Sequence, residues 1–160
     1  DSGDPEAARR QFEIAIECEP SNPYSRHLLG GCLLRLHKEK EAVAAFEEAL
    51  RLHPQSADSR VRLAWIQATS PDPDVLNGRA ALDHVRVLKD QIAEPWPPYV
   101  LDTEAAGLAA IARFEDAVTV AEVALKHANE KGIDSLAKEI RERIELYSDG
   151  SPYIRKVQER

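Results

Sequence analysis

The feature that most constrains this chain is a group of residues that recurs after 34 positions. The recurring pairs are Ala8 and Ala42, Phe12 and Phe46, Ala15 and Ala49, and Pro20 and Pro54. A fixed period of this length is typical of repeat proteins. One repeat cannot bury its apolar face alone, so it stacks on neighbouring copies and builds an extended surface. The recurrence therefore predicts a surface that holds other molecules rather than a cleft for chemistry.

Apolar residues spaced three and four apart predict helices along the whole chain, and no useful length alternates with the period of two that strands show. Asp4, Asn22 and Ser56 stand where helix N-caps are expected, and the first two precede a proline that suits a first helical turn. The proline-containing connections at 19–22 and 53–56 are long enough only to reverse the chain. The sequence therefore predicts an all-α chain of antiparallel helical hairpins.

Charge, hydropathy and cysteine usage exclude several classes of function. The 28 acidic and 21 basic residues give a formal net charge of -7, which argues against a nucleic-acid partner and against anionic membrane surfaces. No apolar run approaches the roughly 18 residues that cross a bilayer, so we predict no membrane insertion. Cys18 and Cys32 lack the spacing of a zinc site or a disulfide framework, and we predict two buried, unreactive thiols.

No group of residues supports catalysis. The five histidines lack the one-turn spacing of paired metal ligands, and the chain has no nucleophile elbow, phosphate-binding glycine loop or paired-carboxylate motif. Because a catalytic function needs a site, we predict that this segment is not an enzyme and that it binds no metal or cofactor.

The segment from 23 to 56 resembles a tetratricopeptide repeat at six signature positions. Repeat positions 7, 8, 20, 24, 27 and 32 are occupied by Leu29, Gly30, Ala42, Phe46, Ala49 and Pro54. The resemblance implies an α-solenoid of antiparallel helical hairpins wound into a right-handed superhelix. Its packing logic follows from the residues, because Gly30 lets two helices approach closely and Phe46 fills the space between successive hairpins.

The same resemblance divides the chain into a repeat domain over 1–148 and a tail over 149–160. The domain begins with the second helix of a truncated repeat, continues through three repeats and ends with a capping helix, and these parts span 1–22, 23–56, 57–90, 98–131 and 133–148. The second full repeat carries an insertion, because the sequence SPDPD at 70–74 cannot continue a helix.

The capping helix is half polar, as the end of a solenoid requires. Its apolar stripe consists of Leu136, Ala137, Ile140, Ile144 and Tyr147. Arg143 is assigned to the polar remainder of this helix, and the tail is expected to leave the compact body.

In tetratricopeptide repeats the first helix of each hairpin lines a concave groove. Among the groove positions that the resemblance transfers to this chain, the candidate binding residues are Tyr24, His27, Arg35, Arg62, Trp65, Tyr99 and Asp102. Aromatic rings supply contact area and arginines pair with carboxylates. The alternative for Trp65 is contact with a neighbouring hairpin, and for the arginines and Asp102 it is a solvated or ion-paired surface.

A subfamily of these repeats binds chaperone C-termini through a two-carboxylate clamp of lysine, asparagine and arginine side chains. The corresponding positions here hold His27, Gly31, Asp58 and Arg62, of which only Arg62 fits. Capture of a heat-shock chaperone is therefore disfavoured. Glu104 falls where the family has leucine, and we predict a rim residue that reaches water.

Two functions remain open from the sequence. The first is a protein–protein interaction scaffold that binds a peptide or protein segment, of unspecified identity, in the groove. The alternative is a structural or oligomerisation module, which self-associates through the N-terminal half-repeat or serves a catalytic domain of a larger parent protein.

The chain is expected to be a piece of a longer protein, because it contains no methionine. The stretch from LAWIQATSPDPD to IELYSDGSPY resembles the C-terminal repeat region of bacterial multidomain proteins. The compartment stays unassigned, with the cytoplasm slightly favoured for a soluble segment.

Overall fold

The computed structural model describes residues 4–156 and contains eight helices in that range. The helices are α1 (Pro5–Cys18), α2 (Pro23–Arg35), α3 (Glu39–Leu52), α4 (Ala57–Thr69), α5 (Gly78–Gln91), α6 (Pro98–Ala110), α7 (Phe114–Glu130) and α8 (Asp134–Ser148). The described residues contain no strand. The prediction of an all-α chain of helical hairpins is confirmed.

The chain divides into two compact units, residues 1–63 (unit 1) and residues 64–160 (unit 2), and the division falls inside α4. In unit 1, α2 packs against α1 and against α3. In unit 2, α6 packs against α5 and α7, and α7 packs in turn against α8. Each of these consecutive helices therefore packs on its neighbour in sequence.

Capping and close packing shape unit 1. The Asn22 side chain accepts a hydrogen bond from the backbone N–H of Tyr24 at 2.9 Å, which satisfies a free donor at the start of α2. The Phe46 side chain of α3 is fully buried, and its ring lies where a Cβ atom on Gly30 would come within 2.8 Å. Glycine at position 30 therefore allows α2 and α3 to approach.

Unit 2 contains the nonhelical segment 70–77 between α4 and α5. This segment is tied to α4 because the Asn77 N–H donates to the Gln67 carbonyl at 2.7 Å, and Val75 is buried. The following helix α5 packs closely on α6, where a Cβ atom on Gly78 would lie 2.8 Å from the Gly107 carbonyl oxygen. The insertion is thus an ordered part of unit 2.

The core of unit 2 between α6, α7 and α8 is rich in small residues. The fully buried side chains that α7 contributes are Ala117, Ala121, Ala124 and Ala128. From α8, Ala137, Ile140 and Tyr147 are buried against this cluster. Short side chains on α7 bring its backbone close to both neighbouring helices.

Three sequence predictions are wrong in detail. The sequence predicts that both cysteines are buried. Cys32 is buried, but Cys18 is exposed, because it lies on α1, which has no fully buried residue. Arg143 is buried rather than solvated, because it pairs with Asp102 of α6. The beginning of the tail does not leave the body, since Tyr153 packs against the core of unit 2. Residues 157–160 of the predicted tail, and residues 1–3, lie outside the described residues.

Candidate interaction surfaces

Unit 1 presents an exposed aromatic ring at the start of α2. The Tyr24 side chain is 66% exposed and stacks on the His27 ring, with ring centroids 6.5 Å apart and planes 13° apart. The His27 ring in turn meets the buried Phe46 ring edge-on at 5.4 Å. Three rings therefore form a continuous column from the core of unit 1 to its surface, which gives Tyr24 a rigid support.

His27 is fixed by a contact with α4. Its Nδ1 lies 2.9 Å from the hydroxyl oxygen of Ser59, a buried residue that also accepts a hydrogen bond from the Ser56 hydroxyl. Burial lowers the pKa of His27, and the nearby Arg62 guanidinium acts in the same direction while the Asp58 carboxylate opposes it. His27 is therefore a neutral, oriented imidazole at neutral pH.

A small cavity of about 100 Å³ lies beside this column. Its lining consists of Pro23, Tyr24, His27, His53, Ser56, Asp58 and Ser59. Pockets for complete small-molecule ligands usually measure about 300–1,000 Å³. The cavity therefore has room for one side chain of a larger partner.

The other two groove positions of unit 1 are both exposed arginines. Arg62 lies close enough to His27 to influence its pKa, and Arg35 occupies the last turn of α2. The structure thus brings Tyr24 and His27 together at the cavity, with Arg62 near His27, and places Arg35 at the opposite end of its helix.

Unit 2 contains a buried ion pair at the groove position of Asp102. The Arg143 guanidinium donates from Nε to Oδ1 of Asp102 at 2.9 Å and from a terminal nitrogen to Oδ2 at 2.7 Å. The Arg143 and Asp102 side chains are only 3% and 4% exposed. This two-point contact joins α8 to α6 inside unit 2 and satisfies both oxygens of the carboxylate.

Burial raises the pKa of Asp102 to about 6, although the Arg143 guanidinium acts in the opposite direction. Burial lowers the pKa of Arg143, but its interactions with Asp102, Tyr147 and Glu139 together outweigh burial, and the pKa is raised. Pairing therefore favours the charged form of both side chains, whereas burial opposes ionisation of Asp102 and is the larger effect there. The charge state of the pair near neutral pH therefore depends on Asp102, because an arginine stays protonated throughout that range.

Two aromatic rings enclose the buried guanidinium. Its central carbon lies 5.2 Å from the centroid of the Trp65 ring and 5.3 Å from that of the Tyr153 ring. The two rings are themselves 6.0 Å apart and inclined by 34°. Arg143 thus combines cation–π contacts with its carboxylate pair.

The C-terminal segment 151–156 crosses the end of α4. The Arg155 N–H donates to the Thr69 carbonyl at 2.8 Å, and its Nε donates to the Thr69 hydroxyl at 3.0 Å. Together with the contact between Tyr153 and Trp65, these bonds place the segment over the Trp65 groove position. Tyr99, the remaining groove position of unit 2, is 47% exposed.

Glu104 forms a second ion pair in unit 2. Its carboxylate accepts from Lys89 of α5, whose ammonium group lies 4.1 Å from the centroid of the Trp96 ring. The Glu104 side chain is 21% exposed. The charge on α6 is therefore partly covered and paired, and it faces α5 rather than a partner.

Sequence reasoning missed Arg143, Tyr153 and Arg155. A signal existed for Arg143, which stands three residues after Ile140 and four before Tyr147, on the stripe that α8 buries. For the other two residues we find no comparable sequence signal, because both contact α4 residues that are distant in sequence, such as Thr69, which lies 86 positions before Arg155.

Among residues 4–156, no cluster of three or more potential ligand side chains could hold a metal ion. None of the helices in the same range is long and apolar enough to cross a membrane. A family model described as tetratricopeptide repeat matches residues 1–57 and residues 40–74. No curated protein matches the chain.

Proposed function

We propose, from the premise that this chain is a tetratricopeptide repeat protein through residues 1–74, that it binds a peptide or protein segment with the surface of unit 1 around Tyr24. Repeats of this family commonly mediate protein–protein interaction, and their all-helical fold is typically a non-catalytic scaffold. The observation that carries the proposal is the 66% exposure of Tyr24 on a supported column of rings.

The chemistry of this surface suits an extended segment with one anchoring side chain. Tyr24 offers a large contact area that His27 already holds in place, so little side-chain entropy is lost on binding. The adjacent cavity accepts one side chain, and the exposed Arg62 provides a cation for a carboxylate in the partner.

A peptide array tests this proposal with three variants of the chain. We expect Tyr24→Ala and Arg62→Ala to weaken binding of the peptides that the wild type retains by about tenfold, because exposed aromatic and arginine anchors contribute about 1–2 kcal/mol or more at interfaces. Val123→Ala removes a 43% exposed side chain from α7 and serves as the control that leaves binding unchanged. Equal binding by all variants would show that the Tyr24 surface is not the binding site.

A second candidate function is self-association through α1. This helix is amphipathic in sequence, yet none of its residues is fully buried and the Ile14 side chain is 52% exposed. A second copy that covers this face removes apolar area from water. Light scattering over a range of concentrations tests the idea, and we expect a mass that rises with concentration in the wild type but not in Ile14→Glu. A constant monomeric mass in both proteins would refute it.

A further inference from the structure

We infer that Trp65, Thr69 and Arg143 form a recognition site on unit 2 for an extended segment with a tyrosine followed two residues later by an arginine, and that residues 152–155 occupy it as a ligand built into the chain. The inference goes beyond the proposed function, which concerns a different surface on unit 1. It rests on contacts within residues 64–156.

The two ligand side chains, Tyr153 and Arg155, stand two positions apart in a segment that forms no helix. In a β-strand the side chains at i and i+2 lie on the same side, and a nonhelical segment can place two side chains at this spacing in the same way. Tyr153 and Arg155 both reach α4, where Tyr153 contacts Trp65 and Arg155 donates to Thr69. The backbone N–H of Arg155 adds a contact that does not depend on side-chain identity.

The receptor side of the site is held in place by residues outside the segment. Arg143 is fixed by its two hydrogen bonds to Asp102. The Thr69 hydroxyl donates to the Trp65 carbonyl at 2.7 Å, which leaves its oxygen oriented to accept from Arg155. A surface that is organised without its ligand can accept another segment of the same chemistry.

The segment has the character of a docked ligand rather than of core. None of residues 151–156 is fully buried, although Tyr153, Ile154 and Arg155 are partly covered. Gly150 ends α8 with a φ of 70°, and the Ser151 N–H donates to the Leu146 carbonyl at 2.9 Å. This turn reverses the chain toward α4 at a glycine, the residue best suited to positive φ.

Residues 152–155 compete with a free peptide for the site, and their short connection to α8 sets how strongly they compete. A segment joined by a short linker acts at an effective concentration on the order of millimolar. A free peptide with the same tyrosine and arginine must therefore displace the attached segment in the wild type. Removal of the two attached side chains exposes the site to the free peptide.

Fluorescence anisotropy with a labelled peptide GSPYIRK, the sequence of residues 150–156, tests the inference on the full chain. We expect the Tyr153→Ala/Arg155→Ala variant to bind the peptide with an apparent affinity at least about tenfold higher than the wild type, because the competing segment is weakened. The matched control peptide GSPAIAK should not bind. Equal binding of the two peptides, or no binding to a double variant that circular dichroism shows to be folded, would overturn the inference.

The two tryptophans of the chain supply a readout that needs no further mutation. In NMR spectra of the double variant, we expect the peptide to shift the indole N–H resonance of Trp65 and to leave that of Trp96 in place. A shift confined to Trp96, or no shift at either indole, would overturn the inference.

Tyr24→Ala in the same double variant separates this site from the proposed function. We expect peptide binding to be unchanged by that substitution. Loss of binding would place the peptide on the unit 1 surface and would overturn the assignment to Trp65.

Discussion

The two units differ in how far the chain itself covers Tyr24 and Arg62 on one side and Trp65 and Asp102 on the other. In unit 1, Tyr24 and Arg62 are exposed, and Tyr24 lines a small cavity together with His27. In unit 2, Asp102 is buried against Arg143, and Tyr153 covers Trp65. The repeat register therefore predicts where a groove residue lies on its helix. It does not predict whether another part of the chain already covers that residue.

The physical reason for the difference is electrostatic. An exposed tyrosine needs no partner, whereas a buried carboxylate is stable only when a cation or several donors satisfy it. Asp102 obtains its cation from α8, which lies 41 positions away in sequence. The pair converts part of the predicted groove of unit 2 into interior.

The largest expected effect tests whether the buried pair holds unit 2 together. At pH 7, Asp102→Leu or Arg143→Met alone should lower the free energy of unfolding by about 3–5 kcal/mol, because each leaves one buried charge without its partner. The double substitution should cost much less than the sum of the two. Urea unfolding measures all three variants.

An exposed pair in the same unit provides the matched control. Arg113 and Asp116 are 2.7 Å apart, but their side chains are 57% and 51% exposed. Arg113→Met should therefore change the free energy of unfolding by less than about 1 kcal/mol. The predicted contrast between buried and exposed ion pairs would be wrong in either of two cases. The free-energy losses of Asp102→Leu and Arg143→Met could add up in the double variant, or Arg113→Met could lose as much as Arg143→Met.

The next largest effects on stability come from alanine substitutions at the two glycines where helices pack closely, Gly78 in unit 2 and Gly30 in unit 1. Gly78→Ala should destabilise by about 1–3 kcal/mol, because the new Cβ atom meets a backbone carbonyl oxygen at 2.8 Å. Gly30→Ala should cost less, because the Phe46 ring that it meets can shift more readily than a backbone. Thermal unfolding checks this order.

Gly31→Ala is the control in the same helix as Gly30. Apart from its chain neighbours and the backbone of its own helix, no atom lies within 4 Å of the added Cβ atom, so the higher helix propensity of alanine should stabilise by up to about 1 kcal/mol. Destabilisation by Gly31→Ala, or a smaller cost at Gly78 than at Gly30, would contradict this account of packing.

The third prediction concerns the pH dependence of the two units, which should have opposite signs. The pKa of His27 is lowered, so the unfolded chain binds its proton more tightly and this contribution to stability falls as pH drops below about 6.5. The pKa of Asp102 is raised from 3.8 to about 6, so its contribution rises as pH drops through 6 toward 3.8.

Urea unfolding at pH 7 and pH 5 separates the two contributions. We expect His27→Gln to lose less stability than the wild type on acidification and Asp102→Asn to lose more. Identical pH dependence in the wild type and both variants would show that neither group is linked to folding.

The smallest expected effects on the free energy of unfolding come from the aromatic groove residues Tyr24 of unit 1 and Trp65 of unit 2. Tyr24→Ala should change the free energy of unfolding by less than about 0.5 kcal/mol, because the ring is mainly exposed. Trp65→Ala should cost about 1–2 kcal/mol, because it removes contacts with Arg143 and Tyr153. Equal losses in thermal unfolding would contradict the description of one surface as open and the other as covered.

Much of the fold was predictable because its signals are local. Asn22 marks the start of α2 through a bond to a residue two positions away, and Gly30 with Phe46 marks the contact between α2 and α3. Arg143 was not assigned correctly, although its place on the buried stripe of α8 was visible. A charged residue on such a stripe indicates a buried partner without identifying it.

The sequence by itself determined the helices, their order and their pairing into hairpins, because period, capping residues and proline breaks act over a few positions. Only the tertiary structure decided that Arg143 is buried on Asp102 and that Tyr153 and Arg155 return to Trp65 and Thr69. Such contacts depend on which side chains meet after the helices have packed. That outcome is set by distance, desolvation and charge in three dimensions, for which the linear pattern carries no local signal.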